Sequence, residues 1–260
     1  MIESNPASRR RLAAGDPAPF IVENPGAEAP FVLVCDHAGR EVPAGLERLG
    51  LPDTEFERHI AWDIGAGELS LLVGRALGAC VIRQTYSRLV IDCNRDPARA
   101  DAIVERSDGT VVPGNTALSA EDRAARVAEV HRPYHDAIAA ELDRRGAAPT
   151  ALVLMHSFTP RMDGFDRPWE LGVLHLNNSP LSFAMLALLQ AEPGLTVGDN
   201  EPYAMDGIDY TAPFHAGPRG LDYLELEVRQ DLIGDAKGRA QIGALLVRLL
   251  PLALARVGIG

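Results

Sequence analysis

Two histidines in this sequence stand at the carboxyl ends of apolar runs, each with polar company. Phe31-Val32-Leu33-Val34-Cys35 stops at Asp36-His37-Ala38-Gly39, and Ala151 to Met155 stops at His156-Ser157. A third apolar stretch, Leu89-Val90-Ile91, ends in Asp92-Cys93-Asn94-Arg95. Open α/β sheets place their ligands in the crevice beyond the carboxyl ends of their strands. Two imidazoles with acids nearby suit a catalytic zinc, which takes three protein ligands and keeps one position open. One strand-end histidine alone is as readily a hydrogen-bonded packing residue. The pair, with Asn-Arg at a third end, favours a site.

Asn94 and Arg95 have a use of their own. The planar guanidinium fork binds a carboxylate bidentately, and Asn adds neutral hydrogen bonds. Arg88 is a second cation nearby, usable on a carboxylate or a developing oxyanion; a structural salt bridge with Asp92 or Asp96 is the alternative. Late in the chain, Leu224 to Arg229 alternates strictly, with Glu225, Glu227 and Arg229 on one face. An ordinary half-exposed strand has the same pattern. His131 and His135 are four apart, but Pro133 between them argues against a helical metal pair. Neither a GxSxG elbow nor a glycine-rich phosphate loop occurs, so serine catalysis and nucleotide binding lack a motif.

The elements that must hold these residues follow from patterning. Residues 31–35, 79–83, 89–91, 151–155, 172–176 and 224–229 read as strands, several of them continuous apolar runs expected of a buried parallel sheet. Residues 54–77, 119–145, 181–191 and 237–256 read as helices. Val127, Val130, Tyr134, Ile138 and Leu142 share one face of the second, which Pro133 kinks or restarts. Residues 100–118 and 198–218 read as loops. Strands and helices alternate without repeats, so the expectation is one doubly wound α/β domain over residues 31–260 with a mostly parallel or mixed sheet, preceded by an arm over residues 1–30.

Composition narrows the class. The 260 residues are 47% hydrophobic with a net charge of −11. An acidic chain is a poor match for phosphate backbones, so nucleic acid is not expected as partner. No uninterrupted apolar run approaches the roughly 18 residues of a membrane span. Arg9 to Arg11 are followed by no apolar segment, so the start does not read as a secretory signal. Three cysteines without a CxxC suggest buried free thiols in a reducing, cytoplasmic setting.

Six ordered segments carry a resemblance. Val34 to Gly39 with Val42-Pro43, Trp62-Asp63-Ile64-Gly65-Ala66, Ser87 to Pro97, Pro133-Tyr134-His135, Leu154 to Ser157 and Leu226 to Ile233 resemble, in order, the motifs of the N-formylglutamate amidohydrolase family. The match runs from about residue 30 to 235. That family is similar to the zinc carboxypeptidases and the aspartoacylase and succinylglutamate desuccinylase enzymes. The resemblance implies a carboxypeptidase-like α/β fold, one Zn2+ ion and hydrolysis of the amide of an N-acyl amino acid, most directly N-formyl-L-glutamate. It implies His37 and His156 as metal ligands, with Asp63 preferred to Glu41 as the third. It implies Arg88 and Glu227 as catalytic groups, Glu227 taking a proton from the attacking water and giving it to the leaving amine, with Glu225 its competitor. Asn94 and Arg95 would hold a substrate carboxylate; Arg229, His135 and His215 are the remaining expected substrate contacts. His-Ala-Gly at 37–39 and Asp92-Cys93-Asn94-Arg95 depart from the commoner forms and suggest a divergent branch. An amidase for another acylated amide, or a carboxylate-binding protein without catalysis, are the rival readings.

Overall fold

The computed structural model describes residues 12–205 and 207–259; Arg9 to Arg11 lie outside the described residues. Strands are β1 Phe20–Glu23, β2 Phe31–Cys35, β3 Cys80–Gln84, the short hairpin β4 Arg106–Ser107 and β5 Thr110–Val111, β6 Ala151–Phe158, a second hairpin β7 Arg161–Met162 and β8 Phe165–Asp166, β9 Leu171–Leu174, β10 Val197–Asp199 and β11 Asp222–Arg229. The α-helices are α1 Ala66–Leu77, α2 Ala120–Arg126, α3 Arg132–Arg145, α4 Pro180–Gln190, α5 Thr211–Ala216 and α6 Ala236–Arg256.

Seven strands form one sheet in the order β1-β3-β2-β6-β11-β9-β10. Its centre, β3-β2-β6-β11, is parallel. β1 and β9 join it antiparallel, and β10 runs parallel to β9. The mixed α/β sheet expected from the apolar runs is therefore present. Every residue of β2 and β6 is buried, as strands covered on both faces require. Alternate side chains feed two apolar cores. Leu33, Val153, Met155, Leu224 and Leu226 pack with residues of α1, α4 and α6; Val34, Leu152 and Leu154 pack with residues of α3 and α5. A third cluster, around Leu49, Phe56, Tyr86, Leu89 and Val130, lies under the connections.

Several boundaries differ from the sequence expectation. Residues 89–91 form no strand; they make a turn whose Leu, Val and Ile fill the third cluster, so a three-residue apolar run was packing rather than pairing. The helix expected over 54–77 is a 3-10 turn at Asp53–Glu57 and then α1, separated by residues 58–65, of which Gly65 is the N-cap of α1. Gly65 has φ +82°, and a Cβ there would lie 2.4 Å from the Ile233 carbonyl oxygen, so that break needs glycine. A π-turn at Val127–His131 divides α2 from α3, with Pro133 in the first turn of α3. Within the arm, Phe20–Glu23 is an edge strand, and within the 198–218 loop Thr211–Ala216 is helical. α6 is long and apolar enough to cross a membrane, with mean hydropathy 1.3; Leu246, Leu249, Leu250 and Ala253 of that helix are buried in the first core.

Candidate metal centre and active-site cavity

His156 lies near the carboxyl end of β6, and the β2–β6 register pairs Val34 with Leu154. Two residues further on, that register sets Asp36 level with His156. Asp63 reaches the same place from the turn before α1, where its backbone N–H donates to the His37 carbonyl at 2.9 Å. The three groups converge in buried space: Asp63 Oδ2 lies 3.4 Å from His37 Nδ1 and 2.9 Å from His156 Nδ1. One ligand atom from each lies within 4.8 Å of the others. Glu41, the other possible third ligand, is exposed and bridges to Tyr86 through its backbone. The N-cap of α1 is Gly65, not Asp63.

Carboxylates hold the far side of both rings. Asp92 Oδ1 sits 2.7 Å from His37 Nε2. Asp36 Oδ2 lies 3.3 Å from His156 Nε2, and neither atom has a hydrogen-bond partner among the described residues. A ring that donates its Nε2 proton to such a carboxylate turns an Nδ1 lone pair toward Asp63. Two lone pairs and a carboxylate then face one another, which only bound protons or a cation can reconcile. Burial opposes protonation of both rings, yet the surrounding carboxylates, Asp92 and Asp63 for His37 and Asp36 and Asp63 for His156, hold both above the ordinary imidazole range. Against burial, the same contacts keep Asp63 ionised below its usual range. Two nitrogens and one carboxylate oxygen, each imidazole backed by its own carboxylate, fit a zinc-type site.

The centre opens into a cavity of about 330 Å³, lined among others by Arg88, Asn94, Arg95, Tyr203, Asp209, Glu225 and Glu227. In β11, Leu224, Leu226 and Val228 take the first core, so the alternation turns Glu225 and Glu227 to the cavity side. Glu227 is in register with His156 on β6. Both carboxylates are buried, and Oε2 of each has no hydrogen-bond partner among the described residues. Burial pushes Glu227 up to about 7 despite the opposing charge of His156. Burial and the neighbouring Asp209 push Glu225 well above the carboxylate range.

The cations on this wall are already engaged. Arg88 clasps Asp92 Oδ2 through Nε and Nη2 at 3.0 and 2.6 Å, with Nη1 3.5 Å from Asp63. That is the salt bridge considered as the alternative, though the residue also lines the cavity. Asn94 Oδ1 accepts the backbone N–H groups of Tyr210 and Thr211, and its Nδ2 donates to Asp209 Oδ1 at 3.1 Å. Arg95 Nη1 reaches the same Asp209 oxygen at 3.4 Å. Asn94 and Arg95 thus hold a carboxylate, but the chain's own. Burial raises the Asp209 carboxyl, with Arg95 opposing.

Three expected substrate contacts lie elsewhere. Arg229 follows the cavity-lining glutamates on β11, but its guanidinium turns to Asp231 at 2.8 Å and the Trp169 carbonyl at 3.3 Å, because the strand ends there. His135 and His215 hydrogen-bond to each other at 2.9 Å and line a second cavity, with His131 and Phe214. Their helices α3 and α5 cover the second core, and neither histidine lines the cavity at the metal centre. Sequence reasoning missed Asp36 and Asp92 as imidazole partners and Asp209 as the occupant of Asn94 and Arg95. Asp36 and Asp92 are visible in the motifs, but only the strand register shows which ring each one meets. Asp209 lies in a loop with no periodic signal.

The α/β sheet thus carries a buried His-Asp-His group that could hold a metal ion, with the carboxylates of Glu225 and Glu227 in the adjoining cavity. The family model for N-formylglutamate amidohydrolase matches residues 29–234, and the chain belongs to that family. An N-formylglutamate deformylase from Pseudomonas putida is 33% identical over 131 residues, which are 44% of this chain and 46% of the relative, so the match spans less than half of that protein. Among solved structures, a gene product from Agrobacterium tumefaciens superposes with a TM-score of 0.92 at 36% identity, covering 95% of this chain and 99% of that one. The N-formylglutamate amidohydrolase from Ralstonia eutropha JMP134 shares the fold, with a TM-score of 0.64 at 23% identity over 93% of this chain and 100% of its own.

Proposed function

We propose that this protein hydrolyses the amide of an N-formyl amino acid, N-formyl-L-glutamate first, to formate and the free amino acid. The observation that carries the reading is the convergence of His37, Asp63 and His156 within reach of one ion, beside a buried Glu227 in register with His156. His37, Asp63 and His156 would hold zinc. The bound ion supplies Lewis-acid polarisation of the formyl carbonyl and acidifies the attacking water.

The chain's residues supply the rest. Glu227 takes a proton from the water as its oxygen attacks the formyl carbon. The same carboxyl then returns that proton to the amide nitrogen as the C–N bond breaks, so one group serves both half-reactions. A carboxyl near neutrality suits this exchange. Asp92 and Asp36 keep the two imidazoles oriented with Nδ1 toward Asp63. Arg88, fixed by Asp92, presents its remaining N–H groups to the oxyanion. The substrate's α-carboxylate takes Asn94 and Arg95 in place of Asp209. Three buried free cysteines support a reducing, cytoplasmic setting.

Formate release from a panel of N-formyl and N-acetyl amino acids tests the reading. Expected is release of formate with preference for the glutamate derivative. Turnover of acetylated substrates alone, or of none, overturns it.

A further inference from the structure

We propose that Arg167 sets the substrate preference of the cavity, receiving the side-chain carboxylate of an acidic N-formyl amino acid together with the Tyr203 hydroxyl. The inference rests on the deformylase reading, which fixes the formyl end of the substrate at the metal centre.

Arg167 is a buried cation with neutral company. It is 8% exposed. Its Nη1 donates to the Tyr203 hydroxyl at 3.0 Å and to the Thr159 carbonyl at 3.3 Å, and its Nη2 meets the Met162 sulfur at 3.1 Å. The guanidinium lies over the Tyr203 ring, 4.7 Å from its centroid. Among the described residues no carboxylate comes within 4.0 Å of it, whereas Arg88, Arg95 and Arg145 each have one, in Asp92, Asp209 and Glu141. A buried charge without a counterion is costly, and a thioether is a weak acceptor. The position is therefore short of one anion.

The missing anion would come from the cavity. Met162 and Tyr203, the two side chains that accept from the guanidinium, both line it. Because the Tyr203 oxygen accepts from Arg167, its own O–H remains to donate toward the cavity. An incoming carboxylate can take that O–H and replace the Met162 sulfur on Nη2, giving two charge-assisted bonds. Arg88 is held by Asp92 and Arg95 is assigned to the α-carboxylate, so Arg167 is the cation left for a second carboxylate of the substrate. Glutamate and aspartate derivatives supply such a group; glutamine, of the same shape, does not.

The test compares N-formyl-L-glutamate with N-formyl-L-glutamine, using the full metal-loaded protein, Arg167→Met and Arg167→Lys. A charge-assisted hydrogen bond is worth enough that Arg167→Met should lose at least about tenfold in kcat/KM on the glutamate substrate, while the glutamine substrate changes by less than about twofold. Arg167→Lys should retain an intermediate preference. Equal losses on both substrates, or no preference in the wild type, overturn the proposal. Thermal shifts with glutarate and its half-amide, glutaramate, give a readout without catalysis. A larger shift with glutarate, lost in Arg167→Met, supports the proposal even if no formate is released, in which case the deformylase reading alone fails. No Arg167-dependent difference between the two ligands overturns it.

Discussion

Asp36 is the chain neighbour of His37, yet its Oδ2 lies 3.3 Å from Nε2 of the other histidine, His156. The crossing follows from the parallel pairing of β2 with β6, which sets residues 36 and 156 level. His37 turns instead to Asp92, 2.7 Å from its Nε2. Nε2 of each imidazole thus faces a carboxylate brought from a different element. Replacing Asp92 or Asp36 by Asn should weaken zinc affinity by about 10–100-fold, the usual cost of losing such a partner, while leaving the fold intact. Competition titration with a chromogenic chelator measures it; unchanged affinity in both variants would remove these carboxylates from the centre.

Glu227 and Glu225 share a cavity and a strand face, but only Glu227 is in register with His156. Glu227→Gln keeps the shape and removes the base. Turnover should fall by at least about a hundredfold, with metal content and melting temperature preserved. If Glu225→Gln is the inactive variant instead, the base is Glu225.

Asp209 occupies the amide and guanidinium that a substrate carboxylate would need. Asp209→Asn removes the competing anion, so KM for N-formyl-L-glutamate should fall several-fold with kcat little changed. A rise in KM would mean that Asp209 positions Asn94 and Arg95 rather than competing for them.

His135 Nε2 faces the Cys93 carbonyl at 2.9 Å, so it carries the proton, and Nδ1 accepts from His215 Nε2. A second proton on both rings would set two N–H groups against each other. Burial pushes His135 down to about 3, with His131 adding to it, and pushes His215 down to about 4, aided by Arg219. Unfolded histidines titrate near ~6.5. Between about pH 6.5 and 4 the unfolded chain therefore holds more protons, and each histidine makes stability fall as pH drops, by up to about 1.4 kcal/mol per pH unit. Urea unfolding from pH 7 to pH 5 should show a shallower loss for His215→Asn than for the wild type. Parallel curves would show that His215 titrates alike in the folded and unfolded chain.

Much of the site was legible because buried parallel strands announce themselves as continuous apolar runs and end where polarity begins. That logic places His37 just beyond one strand and His156 near the end of another, and the alternation of β11 turns Glu225 and Glu227 together. Length misled at Leu89 to Ile91, where three apolar residues fill a core from a turn. Periodicity says nothing about which carboxylate meets which imidazole, since that depends on register between strands far apart in sequence. Arg229 keeps the alternation of Glu225 and Glu227, yet the strand ends and Asp231 takes it. Tyr203, Asp209 and Arg167 lie in connections, where composition carries no direction.

The most direct measurement is formate release from N-formyl-L-glutamate before and after the metal is stripped by a chelator and again after zinc is restored, with His156→Ala alongside. Activity should vanish with the metal, return with zinc in the wild type, and stay absent in His156→Ala. Turnover that survives complete removal of the metal, or that persists in His156→Ala, would contradict a centre built on His37, Asp63 and His156.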